Sequence, residues 1–152
     1  MAPAPFIIQE YVRWSDVDYA GIIFYGAYVR FFEIAETELF RACGLAYAEM
    51  FDRLGVFLPR KAVHAEFFKP ARLDDRLRVA TYVARVGKTS MTLNFDVLAP
   101  GEPVLWAAGS QVLVCVERES LQPRPLLPEL LRALAPHTLS QESARKALGL
   151  AS

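Results

Sequence analysis

Histidine and cysteine are the scarcest chemically useful residues in this chain, with two of each among 152. His64 and His137 lie far apart, and neither sits in a Cys, Asp or Glu cluster at metal-ligand spacing, so no metal centre is expected. There is no G-x-S-x-G elbow for a serine nucleophile. His64, inside VHAEFF, alternates like a structural or rim residue of a strand. Cys43 and Cys115 form no CxxC pair and ask for no oxidising compartment. Cys43 falls on an apolar helix face and Cys115 inside an apolar strand, which reads as two inert core thiols. Walker and Rossmann glycine patterns are missing as well. Neither sign of charge is in excess, with 17 basic and 17 acidic residues, so no broad field favours nucleic acid or an anionic membrane. No apolar run approaches the roughly 18 residues that span a bilayer. The opening MAPAPFIIQEYVRW does not read as a secretory signal. A cytoplasmic location without an integral membrane segment is the expectation.

What the chain does have is apolar mass: 53% hydrophobic and 12% aromatic residues, which excludes disorder. Its length suits one continuous core. Residues 6–14 (FIIQEYVRW), rich in β-branched and aromatic residues, predict a first strand. From Tyr25 or Gly26 the period changes: Tyr28, Phe31, Phe32, Ala35, Leu39, Ala42 and Cys43 recur at spacings of three and four, with Arg30, Glu33, Thr37 and Arg41 opposite. Gly44 closes this long helix as a C′ glycine, and a shorter helix is expected over residues 46–54. Strands are expected near 56–69, 76–86, 88–98 and 103–117. In TSMTLNFDV the residues Thr89, Met91, Leu93, Phe95 and Val97 alternate with Ser90, Thr92, Asn94 and Asp96. VLWAAGSQVLVCV is apolar on both faces and predicts a strand covered on both sides.

After Glu117 the character shifts to the proline-punctuated LQPRPLLPELLRALAP, with a short helix near 127–134, and then to a polar, weakly helical tail. The expected organisation is α+β. Residues 1–118 form one domain, an antiparallel sheet wrapped around one long central helix, and residues 119–152 form an extension appended to it.

With other nucleophiles unsupported, the acids of WSDVDYAGIIFYGAYVRFFE carry the chemistry. Asp16 and Asp18 follow a strand and precede a helix start. One reading makes them turn or capping residues. The other holds one of them beside free helix-start N–H groups, where a carboxylate attacks a carbonyl or activates water while the amides receive the developing oxyanion. Ester or thioester hydrolysis needs little more. A phosphatase-type aspartate pair fits less well, because that D-x-D-x-[TV] pattern has Ala20 in its last place here and relies on a parallel sheet.

These residues bring a known family into view. DVDYAGIIFYGAYVRFFEIAETELFR resembles the pattern D-x-D-x-x-G-(x)3-Y-(x)2-Y followed by a helix in the hotdog-fold acyl-CoA thioesterases. The resemblance is to the 4-hydroxybenzoyl-CoA thioesterase type, including the enzymes associated with the Tol–Pal system. FFKPARLDDRLRV and VGKTSMTLNFDV are further ordered matches, and together the three cover roughly residues 8–117. The resemblance implies the hotdog fold, an antiparallel sheet around one helix, and hydrolysis of acyl-CoA thioesters without a cofactor, coenzyme A being part of the substrate. It also implies roles. Asp18 is the catalytic carboxylate, as nucleophile or general base, and the backbone N–H of Tyr25 polarises the carbonyl. Gly21 allows close backbone approach, and Asp16 supports.

Coenzyme A carries phosphates, so Lys88 and then Arg85 are the expected contacts. RVGKTS lacks the several adjacent basic residues of the type enzyme, however. The Tol–Pal-associated members have a histidine near position 26, and beside Tyr28 this chain offers none, so that role does not carry over. A helix glutamate, Glu33, is the reserve catalytic group. Phe24, Phe31, Phe32 and Phe57 are candidate acyl-pocket residues or plain core. The resemblance further implies a homo-oligomer, a dimer of dimers with sites at the dimer interface. An acyl-carrier-protein thioesterase and a non-catalytic acyl-binding protein of the same fold are the alternatives.

Overall fold

A helix with a nearly continuous aromatic and aliphatic face must cover that face, and the rest of the chain is laid out to do so. In the computed structural model, which describes residues 2–150, β1 (Phe6–Tyr11) leads through a single 3-10 turn into the long helix α1 (Ala27–Ala42). There follow α2 (Tyr47–Leu54), β2 (Val56–Phe57), β3 (Arg60–Phe67), β4 (Arg76–Val86), β5 (Ser90–Leu98), β6 (Leu105–Val114), β7 (Val116–Glu117), α3 (Pro128–Leu134) and α4 (Gln141–Ala147). The main sheet is antiparallel throughout, in the order β1-β4-β5-β6-β3. Its concave face wraps α1, as the periodicity predicts. Gly44 takes φ +76° just past the helix, the left-handed turn expected of a C′ residue.

Phe31, Phe32, Ala35, Leu39 and Phe40 of α1 are fully buried against Leu77, Val79, Met91, Leu93, Phe95 and Val97 of the sheet. Each large side chain so covered contributes about 1.5–3 kcal/mol. Phe32 stacks on Phe95 with ring centroids 4.5 Å apart, and β6 makes room for it with Gly109. A Cβ there would stand 2.6 Å from the Phe32 ring and 2.7 Å from the His64 carbonyl oxygen.

The helix face departs from the predicted stripe at its C-terminal end. Ala42 is exposed, whereas Phe40 and Glu36 are buried. The cause is α2, which folds back so that Tyr47 packs on Phe40 at 5.0 Å and reaches Glu36 with its hydroxyl. Phe31 and Phe32 are plain core rather than pocket lining.

The segment after residue 118 packs on the core. Leu126, Leu130 and Leu134 are buried in the same core as α1. Helix α4, capped by Ser140, whose Oγ accepts from the Ser143 N–H, covers part of the opposite sheet face. There Leu148 packs on Ala80 and Leu98, and Arg145 pairs with buried Asp96 at 3.0 Å. That cover stops short of β6. Its inward residues Ala107, Gln111 and Leu113 are buried, but its outward Val112 and Val114 are only half covered, so the expected two-sided burial is partial. Cys115 is buried and Cys43 half-buried, and burial raises both thiol pKa values.

Gly109→Ala is expected to lower stability by about 1–3 kcal/mol through overpacking against Phe32, measured by urea denaturation. A paired Phe32→Leu change, which shortens the opposing side chain, is expected to recover part of the loss.

Candidate active site

The loop between β1 and α1 is stitched down on several sides. The Val17 and Ile23 positions bridge antiparallel, as do Ile22 and Arg72. The Asp18 N–H donates to the Ile22 carbonyl (3.0 Å), the Ile23 N–H to that of Ala71 (2.9 Å) and the Phe24 N–H to that of Asp16 (3.0 Å). The sequence FFKPARLDD therefore holds the acidic loop from outside. At the loop's tip, residues 18–21 make a tight turn in which the Gly21 N–H donates to the Asp18 carbonyl, 2.9 Å. Gly21 has φ +78°, and a Cβ there would meet nothing within 4 Å. The turn's positive φ is itself a demand for glycine here.

Asp16 and Asp18 have opposite environments. Asp16 is 2% exposed and accepts from the Arg30 Nε at 2.8 Å, from the Arg30 Nη2 and from the Arg13 N–H at 2.8 Å. Burial pushes its carboxyl pKa up, but Arg30, the Arg13 N–H and the charges of both arginines outweigh it and leave the pKa below the ordinary value. Arg30, placed by periodicity on the polar side of α1, is thereby the pin that joins helix and loop. Asp18 is exposed at the turn, and its Oδ1 accepts from the Ala20 N–H at 2.9 Å. It borders a cleft of about 640 Å³ with Trp14, Tyr19 and Leu73, and both of those aromatic side chains are strongly exposed.

Tyr25 lies just before α1. Among the described residues, its backbone N–H and that of Gly26 find no acceptor, while the Ala27 N–H already turns back to the Phe24 carbonyl. Free amides at a helix start are a ready site for an oxygen that gains negative charge. The cleft beside them, about 330 Å³, is lined by Ile22, Tyr25, Tyr28, Phe67, Phe68 and Lys69 and is mostly apolar. Tyr28 stacks on Phe67 at 5.1 Å, and burial raises its hydroxyl pKa to about 12. Within one chain Asp18 and Tyr25 border different clefts.

Lys88 and Arg85 are not brought to either group in the same chain. Strand β4 begins at Arg76 opposite Tyr11, next to the acidic loop, and ends at Val86. Both cations are exposed near that far end, about 30 Å away at 3.3 Å per residue. The cation that does line the Tyr25 cleft is Lys69, whose ammonium lies 5.2 Å from the Trp106 ring. The only available signal for it was its place in FFKPARLDD. Glu33 is exposed; its neighbour one turn on, Glu36, is buried and paired with Arg60.

The Asp16–Arg30 pair carries a pH-dependent prediction. Because the folded carboxyl pKa is depressed, its stabilisation is present above the ordinary aspartate range and is lost as pH falls through the folded value. Asp16→Asn is expected to cost about 3 kcal/mol at pH 7. The difference from the parent protein should narrow below pH ~4, as read by denaturant titrations across pH.

Comparison with known proteins agrees with this geometry. The sequence model of the Thioesterase-like superfamily matches residues 12–134. The Acyl-CoA thioester hydrolase YbgC of Escherichia coli O157:H7 is 30% identical over 115 residues, 76% of this chain and 84% of that protein. The 1,4-dihydroxy-2-naphthoyl-CoA hydrolase of Synechococcus elongatus is 27% identical over 132 residues, 85% and 93% of the two chains. Among solved structures, the PA5185 protein of Pseudomonas aeruginosa superposes with a TM-score of 0.78 at 27% identity, covering 88% of this chain and 92% of its own. The DHNA-CoA thioesterase of Staphylococcus aureus shares the fold, with a TM-score of 0.77 at 23% identity over 86% of this chain and 88% of its own. An antiparallel sheet wrapped on α1, a D-x-D-x-x-G loop at the helix start and a match over most of its length together place the chain in the thioesterase-like superfamily, with the hotdog fold.

Proposed function

We propose that this protein hydrolyses acyl-CoA thioesters to a free acid and coenzyme A. The observation that carries the reading is the N–H of Tyr25, unengaged among the described residues, at the mouth of an apolar cleft, with an exposed carboxylate, Asp18, on the preceding turn beside the neighbouring cleft. The thioester oxygen accepts from the Tyr25 N–H, whose hydrogen bond strengthens as the oxygen becomes negative in the tetrahedral state. Asp18 then acts in one of two ways. As nucleophile, its carboxylate oxygen bonds to the carbonyl carbon, the C–S bond breaks, the thiolate leaves and takes a proton from solvent, and water opens the mixed anhydride. As general base, it takes a proton from the water that attacks the carbonyl carbon; the tetrahedral intermediate then collapses with C–S cleavage, and the leaving thiolate takes up a proton from Asp18 or solvent. Neither route calls on a metal or redox group.

Asp18 is open to water in the single chain, and the edge strand β3 is exposed along nearly its whole length, with Val63 and Phe67 about half exposed. An unpaired, partly apolar sheet edge of this kind invites pairing with another copy. A homo-oligomer, a dimer or dimer of dimers, supplies that cover and excludes water from Asp18. In such an assembly Lys88 and Arg85 serve coenzyme A phosphates bound at another protomer's site, while Lys69 serves its own.

Asp18→Asn keeps the oxygen that accepts from the Ala20 N–H, so the turn is retained. Thiol release from a panel of short, long and aromatic acyl-CoAs is expected to fall by about a hundredfold or more at unchanged oligomer mass. Undiminished release would move the chemistry away from Asp18.

A further inference from the structure

Tyr28 carries a hydroxyl for which the fold itself has no use. The side chain stands in the first turn of α1 and is 2% exposed. Its ring is clamped, stacked on Phe67 at 5.1 Å with 25° between the planes and tilted on Phe31 at 6.1 Å. The hydroxyl at the end of that ring is buried and, among the described residues, has no hydrogen-bond partner. A phenylalanine would make the same ring contacts without leaving a buried donor unmet, so packing does not account for a tyrosine here.

The place of this hydroxyl gives it an acceptor. Tyr25 and Tyr28 border the same cleft, and the Tyr28 N–H donates to the Tyr25 carbonyl at 3.3 Å, which closes one turn between them. Side chains on a helix lean toward its N-terminus. The phenol of Tyr28 therefore leans back over the turn that starts at the unengaged Tyr25 N–H. Apart from these two tyrosines, Lys69 is the one polar residue bordering the cleft, and its ammonium is held 5.2 Å from the Trp106 ring. Burial keeps the Tyr28 hydroxyl protonated at neutral pH, so it stands there as a donor.

We propose, building on the thioesterase reading, that the Tyr28 hydroxyl is the second donor to the thioester oxygen. That oxygen accepts from the Tyr25 N–H and from the Tyr28 O–H, and both bonds strengthen as it becomes negative in the tetrahedral state. Tyr28 is then a catalytic residue with a role separate from that of Asp18, because it stabilises charge and transfers no proton. The free protein tolerates an unpaired buried hydroxyl, and the reacting oxygen is the partner that satisfies it.

The test is Tyr28→Phe in the full chain, followed by steady-state thiol release from the best acyl-CoA and by thermal unfolding. A catalytic hydroxyl predicts kcat lowered by about a hundredfold, with KM within about threefold of the parent. Because the unmet donor is gone, the melting temperature is expected to rise by about 2–5 °C. Unchanged kcat overturns the inference and leaves the thioesterase reading standing. A fall in kcat together with a fall in melting temperature assigns the hydroxyl a structural role and also overturns it, as does a rise in KM at unchanged kcat. If the parent protein turns over no CoA ester, the thioesterase reading fails and the inference falls with it. Should Tyr28→Phe not fold, a structure of the parent protein with a ketone analogue of the substrate decides. Tyr28 Oη within about 2.5–3.0 Å of the ketone oxygen supports the assignment; a ketone oxygen out of its reach overturns it.

Discussion

Covering the apolar face of α1 is the constraint on which the rest of this structure depends. The helix carries aromatic and aliphatic side chains around more than one side, and a five-stranded sheet curls over most of them. Helix α3 closes a further part of the core with Leu126, Leu130 and Leu134. A sheet can wrap a helix only so far, however. At the β3 edge the wrap ends, and that strand is left exposed along nearly its whole length. At the helix start the backbone N–H groups of Tyr25 and Gly26 have no carbonyls to bind among the described residues. The features that make the chain a candidate enzyme are therefore the places where the covering of its central helix stops.

The acidic loop depends on that helix in turn. Asp16 spends both carboxylate oxygens on Arg30 and the Arg13 amide, inside the protein. This fixes where the following turn projects, and it frees Asp18 from structural duty beyond one contact with the Ala20 N–H. Two acids separated by a single residue thus divide the work: one is buried, paired and stabilising, the other exposed and available.

Much of this was legible in the sequence because it rests on local periodicity. The three-four spacing of α1, the alternation in β5 and the stop at Gly44 each follow from which face must be buried. The D-x-D-x-x-G loop was legible as a candidate site because few other chemically competent residues exist in the chain. What could not be read depends on distant partners. Arg30 looks like a solvent residue until the loop fourteen positions earlier folds under it. Glu36 looks like a flank residue until α2 returns Tyr47 and Arg60 closes from β3. Lys88 looks close to the site in a motif list, but antiparallel pairing of β1 with β4 sends its hairpin to the other end of the sheet. Gly21 has a positive φ that depends on how the 18–21 turn closes, which no local pattern spells out.

The account's central claim is that a thioester carbonyl rests on the Tyr25 amide with the Asp18 carboxylate against its carbon. The most direct measurement is a crystal structure of the assembled protein with an acyl-CoA analogue whose sulfur is replaced by a methylene group, which binds but is not cleaved. The account predicts the ketone oxygen within hydrogen-bond distance, about 2.7–3.2 Å, of the Tyr25 nitrogen and an Asp18 carboxylate facing the carbonyl carbon. A carbonyl seated elsewhere, with Tyr25 N–H bound to water and Asp18 facing solvent, would contradict it.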